Sequence, residues 1–376
     1  MRHLSSIVVL MTCAAIVLGT QRWLPIAHEV EDMVAYERIA RAAPSFPDEP
    51  VRRAFAERFP LHWSAGMLSE GTGLSLDLVY RAFSLLILGA LAAVVHVTFR
   101  RLGLDPLAHG IALGALVVSA YPLHFLLATP GFVADDLFLL GLAVSLLGFA
   151  HTRLALVVGG LAVAVVGRQT AVPLAIVAGG WMAFRPFSRS LRWRAAALTA
   201  VAPVAVYAAL RAAVDTFAVS PDVAGGDTVI DYATSARALA EHVAKTGVGV
   251  ILPTALVLGA WLRARERPPW FPIVLAATVV VQPLLAGPAV VHPGNEPRLA
   301  ALATPALVVA AAFPLRHALL TLPETSIVGA AIVLASLHPR YAHAPWPSLT
   351  WAAVDVGGAV AVVATLGRRR RYAREM

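Results

Sequence analysis

The sequence predicts an all-α, polytopic integral membrane protein with about twelve transmembrane helices. Of its 376 residues, 59% are hydrophobic and only 14% are charged, whereas soluble domains carry about 25% charged residues. Apolar runs long enough to cross a bilayer recur along the chain. The arginines between these runs follow the positive-inside bias of a multi-pass protein.

A membrane helix needs about 20 largely apolar residues. The candidate spans are 4–20, 78–99, 106–128, 133–150, 195–219, 247–262, 270–291, 298–315, 325–337 and 349–367. The stretch 154–184 would be about 46 Å long as one helix, which is too long for one span and too short for two full ones. It contains Arg168, Gln169 and Thr170 at its middle, so we expect two short helices interrupted near Arg168.

Charge bias supports this division. With two short helices in 154–184, the loop arginines gather on one side, which is then the cytoplasm: Arg2, Arg100, Arg101, Arg153, Arg185, Arg189, Arg192, Arg194, Arg263, Arg265, Arg267, Arg316 and Arg368 to Arg371. Both termini are then cytoplasmic, in a plasma-membrane protein whose first segment is a retained signal anchor. The chain is expected to form a single membrane domain, residues 1–376, which ends in a basic cytoplasmic tail, 368–376.

The longest loop, 21–77, is expected outside. It is interrupted by prolines and predicts two or three short amphipathic helices on the membrane face. A second outer segment covers 220–246, and both loops are long enough to cover a site.

Composition and motifs exclude several function classes. No exposed basic domain is present to bind nucleic acid, and the single cysteine, Cys13, excludes an internal disulfide. The outer histidines match no zinc spacing: His62, His292, His338 and His343. We therefore assign no cofactor, although a divalent metal remains compatible with the acidic residues.

The segment "HEVEDMVAYERIA" carries the first candidate site residue. Wound as a helix, it places Met33, Tyr36 and Ile39 on one apolar face, and Asp32 falls on that face too. Either Asp32 is a first-turn acid favoured by the helix dipole, or it is a general base aimed into an outer cavity. Glu31, on the wetter face, is the alternative base.

Two adjacent acids, Asp135 and Asp136 in "TPGFVADDLFLL", begin the span at 133–150. One of them could serve as a helix N-cap, and the pair could orient an acceptor. Arg168 follows about fourteen apolar residues, roughly 21 Å of helix, so it either snorkels or lines a cavity below the outer surface. Arg298 either anchors a span at the interface or joins Arg168 in binding a phosphate, which guanidinium groups contact bidentately.

Other charged residues are read as structural. Asp77/Arg81 and Arg211/Asp215 have the i, i+4 spacing of helix ion pairs. Asp355 lies within the last span without a partner nearby in the sequence. Buried pairing is the default expectation for it, and proton coupling is the alternative.

The chain resembles the C-type glycosyltransferase superfamily of multi-spanning enzymes. The resemblance rests on "EDMVAYERIA" after the first span, on "RFPLHWSAGMLSEGTGLSLDLVYRAFSLL" entering the second, on Asp135/Asp136, and on "GRQT" between two short helices. It covers roughly residues 4–184, and further transmembrane helices follow over 195–367. We do not expect a counterpart of the large C-terminal soluble domain that several such enzymes carry.

The resemblance implies an inverting sugar transfer, outside the cytoplasm, from a polyprenyl-phosphate-linked donor to a glycan, lipid or protein acceptor. Asp32 or Glu31 would be the base, and Arg168 and Arg298 would bind the donor phosphate. The expected substrate- and acceptor-binding side chains are Tyr36, His62, Asp135, Asp136 and Gln169. The alternatives are a transporter or flippase and, third, a membrane O-acyltransferase, which would need a placed histidine.

Overall fold

A computed structural model describes residues 15, 19–24, 31–185, 187–219, 236–286, 295–339 and 348–368. In these residues the chain is almost entirely helical, and the only strands are two-residue segments. The predicted all-α class is confirmed. Most of the predicted first span, 4–20, lies outside the described residues.

The described part of the predicted outer loop forms three helices and one strand. They are α1 (Glu31–Ala42), β1 (Val51–Arg52), α2 (Arg53–Ala56) and α3 (Phe59–Thr72). Pro60 lies in the first turn of α3, where a missing N–H costs no helical hydrogen bond. Gly73 ends α3 with a φ of 70°, a left-handed conformation that glycine adopts readily.

The first half of the bundle follows. Its helices are α4 (Leu76–Leu102), α5 (Pro106–Val117), a π-helical turn (Ala120–Phe125), α6 (Leu126–Ala128), a 3-10 turn (Pro130–Phe132), α7 (Val133–Ala150), α8 (Leu154–Gly167), α9 (Ala171–Phe184) and α10 (Arg192–Ala213). Ser75 caps α4 through the Leu78 N–H, and Asp105 caps α5 through two backbone N–H groups. The predicted span 106–128 is therefore wrong as one continuous α-helix, because α5 ends at Val117 and a π turn follows.

The second half contains β2 and seven further helices. They are β2 (Ala218–Val219), α11 (Ala236–Val248), α12 (Ile251–Ala264), α13 (Trp270–Ala286), α14 (Glu296–Ala301), α15 (Thr304–Leu315), α16 (Leu322–Ser336) and α17 (Ser348–Gly367). The predicted span 298–315 is divided between α14 and α15. Thr321 and Glu324 form a reciprocal capping box at the start of α16.

Length and composition mark four described helical segments as able to cross a membrane: Leu76–Leu102, Pro130–Ala150, Arg189–Ala213 and Thr350–Gly367. Leu239–Val248 and Ile251–Ala264, bent by 67°, form a fifth if they are counted as one span. Six shorter apolar helices of 10–17 residues accompany them. The chain is a multi-pass helical membrane protein, and the count of about twelve spans stays a prediction.

The interruption at Arg168 is confirmed. Gly167 ends α8, Arg168 is extended with φ −152° and ψ 133°, and α9 begins at Ala171. Pro173 falls in the first turn of α9 and cannot donate a hydrogen bond backwards into α8. The extended backbone at Arg168 therefore separates α8 from α9.

Small residues allow the helices beside this break to pack closely. A methyl group on Gly141 of α7 would lie 2.6 Å from the Gly160 carbonyl oxygen, and one on Gly160 of α8 would lie 2.6 Å from the Gly141 oxygen. In membranes, where no hydrophobic effect drives one helix onto another, such close backbone packing holds helices together. It positions the start of α7 next to the end of α8.

The predicted outer loop 21–77 contacts the end of the predicted span 195–219. β1 pairs in parallel with β2, Val51 opposite Ala218. Arg53 reinforces this pairing with a 2.6 Å hydrogen bond to Asp215. The ion pair that the structure shows for Asp215 is therefore with Arg53 and not with the predicted Arg211, whereas Arg81 and Asp77 form the expected pair at 2.6 Å.

Candidate functional site

Charged residues from five parts of the chain meet where α1 and the turn before α3 contact the bundle. Asp32 comes from α1, Asp135 from the first turn of α7, Arg168 from the break after α8, and Arg298 from α14. Arg58 joins them from the turn between α2 and α3. The structure thus brings together four residues that the sequence singled out at widely separated positions.

Asp135 lies between two guanidinium groups. It forms an ion pair with Arg168, and its Oδ2 lies 3.9 Å from Nε of Arg298. The Asp135 side chain is 1% exposed, so the two arginines offset the cost of burying its charge.

Asp32 occupies the more open side of the same group. Its Oδ2 lies 3.8 Å from a terminal nitrogen of Arg298, and its side chain is 18% exposed. Met33, Tyr36 and Ile39 on the same face are buried against the bundle. The predicted amphipathic face of α1 is therefore confirmed, and this face carries Asp32 into the cluster.

Arg58 was not identified from the sequence, although it begins the quoted "RFP" stretch. It is buried and donates hydrogen bonds to the Tyr36 hydroxyl and, at 3.3 Å, to the Gln169 side-chain oxygen. Gln169 also donates to the Ala54 carbonyl at 3.3 Å. An arginine two residues before a proline in the first turn of a helix was the available signal. Arg58 connects α1 and the turn before α3 to the break after α8.

Tyr36 and His62 form a stacked pair behind the charged groups. Their ring centroids are 4.0 Å apart with an interplanar angle of 9°, and His62 Nδ1 lies 2.9 Å from the Tyr80 hydroxyl. Burial raises the pKa of Tyr36, although the Arg58 guanidinium opposes this. Burial, together with Arg58, lowers the pKa of His62 to about 3. Both side chains are therefore neutral at physiological pH.

Aromatic rings line the other side of Arg298. Its guanidinium carbon lies 4.4 Å from the Phe132 ring centroid and 5.5 Å from that of Phe125. Cation–π contact of this kind stabilises a guanidinium group without using its N–H donors. Arg298 is held in place while its N–H groups stay available to an anion.

Two predicted residues fall outside the cluster. Asp136 is fully buried and faces Ser84 of α4, so the structure does not bring it to the site with Asp135. Adjacent helical residues diverge by 100°, which separates the two carboxylates. Glu31 is the first residue of α1, and its side chain lies outside the described part of the structure.

The cluster has an excess of positive charge and unpaired donors. Three guanidinium groups (Arg58, Arg168 and Arg298) face two carboxylates (Asp32 and Asp135). Within the described residues, Nε of Arg168 and Nε of Arg298 are buried without a hydrogen-bond acceptor. Buried donors without partners cost free energy, so the arrangement favours an anion with several oxygen atoms. The described residues contain no group of three His, Cys, Asp or Glu placed to hold a metal.

Comparison with known proteins gives one solved structure to report. No model of a known protein family matches the chain, and no curated protein matches it. The chain is similar to the crystal structure of ArnT from Cupriavidus metallidurans in the apo state, with a TM-score of 0.47 and 13% sequence identity. That similarity covers 96% of this chain and 76% of the ArnT chain.

Proposed function

We propose that the chain is an inverting glycosyltransferase that moves a sugar from a polyprenyl-phosphate donor to an extracytoplasmic acceptor. The observation that carries the proposal is the buried cluster of three arginines and two carboxylates. Its arginines can bind a phosphate, and the carboxylate of Asp32 is partly accessible from the surface. The resemblance of residues 4–184 to C-type glycosyltransferases supports the same reaction class.

The arginines divide into two roles under this proposal. Arg298 binds the donor phosphate, because its contacts to Asp32 and Asp135, 3.8 and 3.9 Å, are longer than hydrogen bonds and its Nε has no acceptor. Arg168 is committed through a terminal nitrogen to Asp135, so only its remaining N–H groups reach the phosphate. Together they stabilise the charge that develops on the leaving phosphate.

Asp32 is the proposed general base. It is the more accessible of the two carboxylates, at 18% against 1% exposure, and only an accessible carboxylate can meet an incoming acceptor hydroxyl. The hydroxyl proton passes to Asp32 while the acceptor oxygen bonds to C1 of the sugar from the face opposite the phosphate. The C1–O bond to the phosphate breaks, and polyprenyl phosphate leaves with the bonding electron pair.

The donor requirement follows from the proposed location in the plasma membrane. Nucleotide sugars are cytoplasmic, so a transferase that works outside uses a lipid-borne donor. The prenyl chain then lies among the membrane helices, and the acceptor, a glycan, lipid or protein of the cell envelope, enters past α1. The reaction as written uses no metal.

Polyprenyl phosphate binding and sugar transfer test the proposal on purified protein in lipid nanodiscs. Polyprenyl phosphate is expected to bind at least tenfold more tightly than the same polyprenol without its phosphate, because only the phosphate reaches the arginines. A polyprenyl-phosphate sugar is then expected to lose its sugar to acceptor glycans or lipids. Equal binding of both lipids would contradict the phosphate site, and movement of the intact donor across proteoliposomes without transfer would indicate a flippase.

Membrane orientation is tested by cysteine labelling. In a Cys13→Ala background, the cysteine of Pro50→Cys is expected to react with an impermeant reagent applied from outside. The cysteine of Ser190→Cys is expected to react only after the membrane is permeabilised. Both positions are exposed in the structure, so accessibility then depends on membrane side alone. Labelling of position 190 but not of position 50 from outside would reverse the proposed topology and move the cluster to the cytoplasmic face.

A further inference from the structure

A small cavity, mainly apolar but with a polar patch, lies inside the helical bundle between α5, α12, α15, α16 and α17. It encloses about 30 Å³, room for about two water-sized occupants at 10–15 Å³ each. Its polar lining consists of Ser119, Tyr121, Thr304, Ser336 and Asp355. None of these residues belongs to the arginine cluster.

Asp355 is the charged group of this cavity. It lies about two turns inside α17, roughly 10 Å from the helix start, and is 4% exposed. Its Oδ2 is buried and has no hydrogen-bond partner among the described residues. No described arginine or lysine forms an ion pair with Asp355, in contrast to Asp135. An ionised carboxylate in this setting needs a compensating positive charge.

The two serine hydroxyl oxygens of the cavity can accept a contact from an occupant. Ser119 donates its hydroxyl proton to the Leu116 carbonyl at 2.9 Å, and Ser336 donates to the Val333 carbonyl at 2.7 Å. The lone pairs of both oxygens therefore remain for an occupant. Trp351 Nε1 is likewise engaged, with the Ala335 carbonyl at 2.8 Å, so it is not a donor for Asp355.

We propose that this cavity is a monovalent cation site in which Asp355, Ser119 and Ser336 bind Na⁺. A single carboxylate balances one positive charge, and neutral hydroxyl oxygens complete the set. Ca²⁺ takes six to eight oxygen ligands, commonly several of them carboxylates, and Mg²⁺ keeps several waters, which a cavity of 30 Å³ does not hold. An anion is excluded by the carboxylate and the acceptor lone pairs.

Thermal unfolding of the purified full chain in detergent tests the site without reference to sugar transfer. NaCl, compared with N-methylglucamine chloride at equal ionic strength, is expected to raise the Tm of the wild type by roughly 2 °C at ten times the Kd. Radioactive ²²Na⁺ is expected to bind saturably at one ion per chain. Asp355→Asn, which keeps the shape but not the charge, is expected to lose both responses.

Ser336→Ala and Ser145→Ala form a matched pair of controls. Ser336 supplies a proposed ligand oxygen, whereas Ser145 is a buried serine of α7 that does not line the cavity. Ser336→Ala is expected to weaken Na⁺ binding about tenfold, and Ser145→Ala to leave it unchanged, so the test holds even if Asp355→Asn does not fold. The proposal is overturned if the wild type shows no Na⁺ response. It is also overturned if Asp355→Asn and Ser336→Ala both keep the wild-type response.

Discussion

Asp32→Asn is expected to lower the rate of sugar transfer by about 10²–10⁴-fold, the usual contribution of a general base. Asparagine keeps the size and polarity of the side chain but has no basic oxygen. The Asp32 side chain is 18% exposed and only loosely paired with Arg298, so expression, insertion and thermal stability should stay close to wild type. Transfer is measured with purified protein, a polyprenyl-phosphate sugar and an acceptor, and compared with donor binding.

Glu31→Gln is the matched control for this prediction. It removes the neighbouring carboxylate on the same turn of α1 while Asp32 stays intact, and the sequence places Glu31 on the wetter face. It should therefore reduce transfer far less than Asp32→Asn. If the two variants behave alike, or if Asp32→Asn keeps near-full turnover, Asp32 is not the base.

Arg168→Leu is expected to abolish sugar transfer. It is also expected to destabilise the protein by about 3–5 kcal/mol, the usual cost of removing one partner of a buried ion pair. The variant leaves the Asp135 carboxylate, 1% exposed, with Arg298 3.9 Å away as its nearest remaining ion-pair partner. It also removes the contact that joins the break between α8 and α9 to the start of α7. Unfolding in detergent and the transfer assay measure the two effects separately.

The double variant Arg168→Leu/Asp135→Leu separates charge compensation from function. Removing both partners leaves no uncompensated charge, so much of the stability lost in Arg168→Leu should return. Transfer should stay absent, because the phosphate site loses one guanidinium group. Recovery of transfer in the double variant would show that Arg168 serves the fold only. Unchanged stability and activity in Arg168→Leu would contradict both roles.

Much of the candidate site was accessible from local patterns. The period of α1 identified Asp32 on the face that carries Tyr36, and the length of the 154–184 stretch located the break at Arg168. Both features depend on residues within a few turns of one another, so periodicity and length suffice to find them. Arg58 was missed, because nothing within its own segment shows that Tyr36 and Gln169 receive its hydrogen bonds.

The sequence could not show which partners the individual acidic side chains meet. Asp135 and Asp136 look equivalent in "VADD", yet one faces two arginines and the other faces Ser84. Asp215 likewise has Arg211 one turn away but forms its 2.6 Å hydrogen bond with Arg53. Which partner a carboxylate meets depends on the rotation and neighbours of its helix, and those are tertiary properties.

The sequence by itself determined the all-helical membrane class, the amphipathic face of α1 and the interruption at Arg168, because hydropathy, helical period and the position of proline are local physical properties. Only the tertiary structure decided which charges meet. Arg168 pairs with Asp135 across 33 residues, Arg58 with Gln169 across 111, and Arg53 with Asp215 across 162. These pairings, and the cavity around Asp355, arise where helices pack, because burial in a low-dielectric interior makes each buried charge depend on the neighbour that the fold supplies.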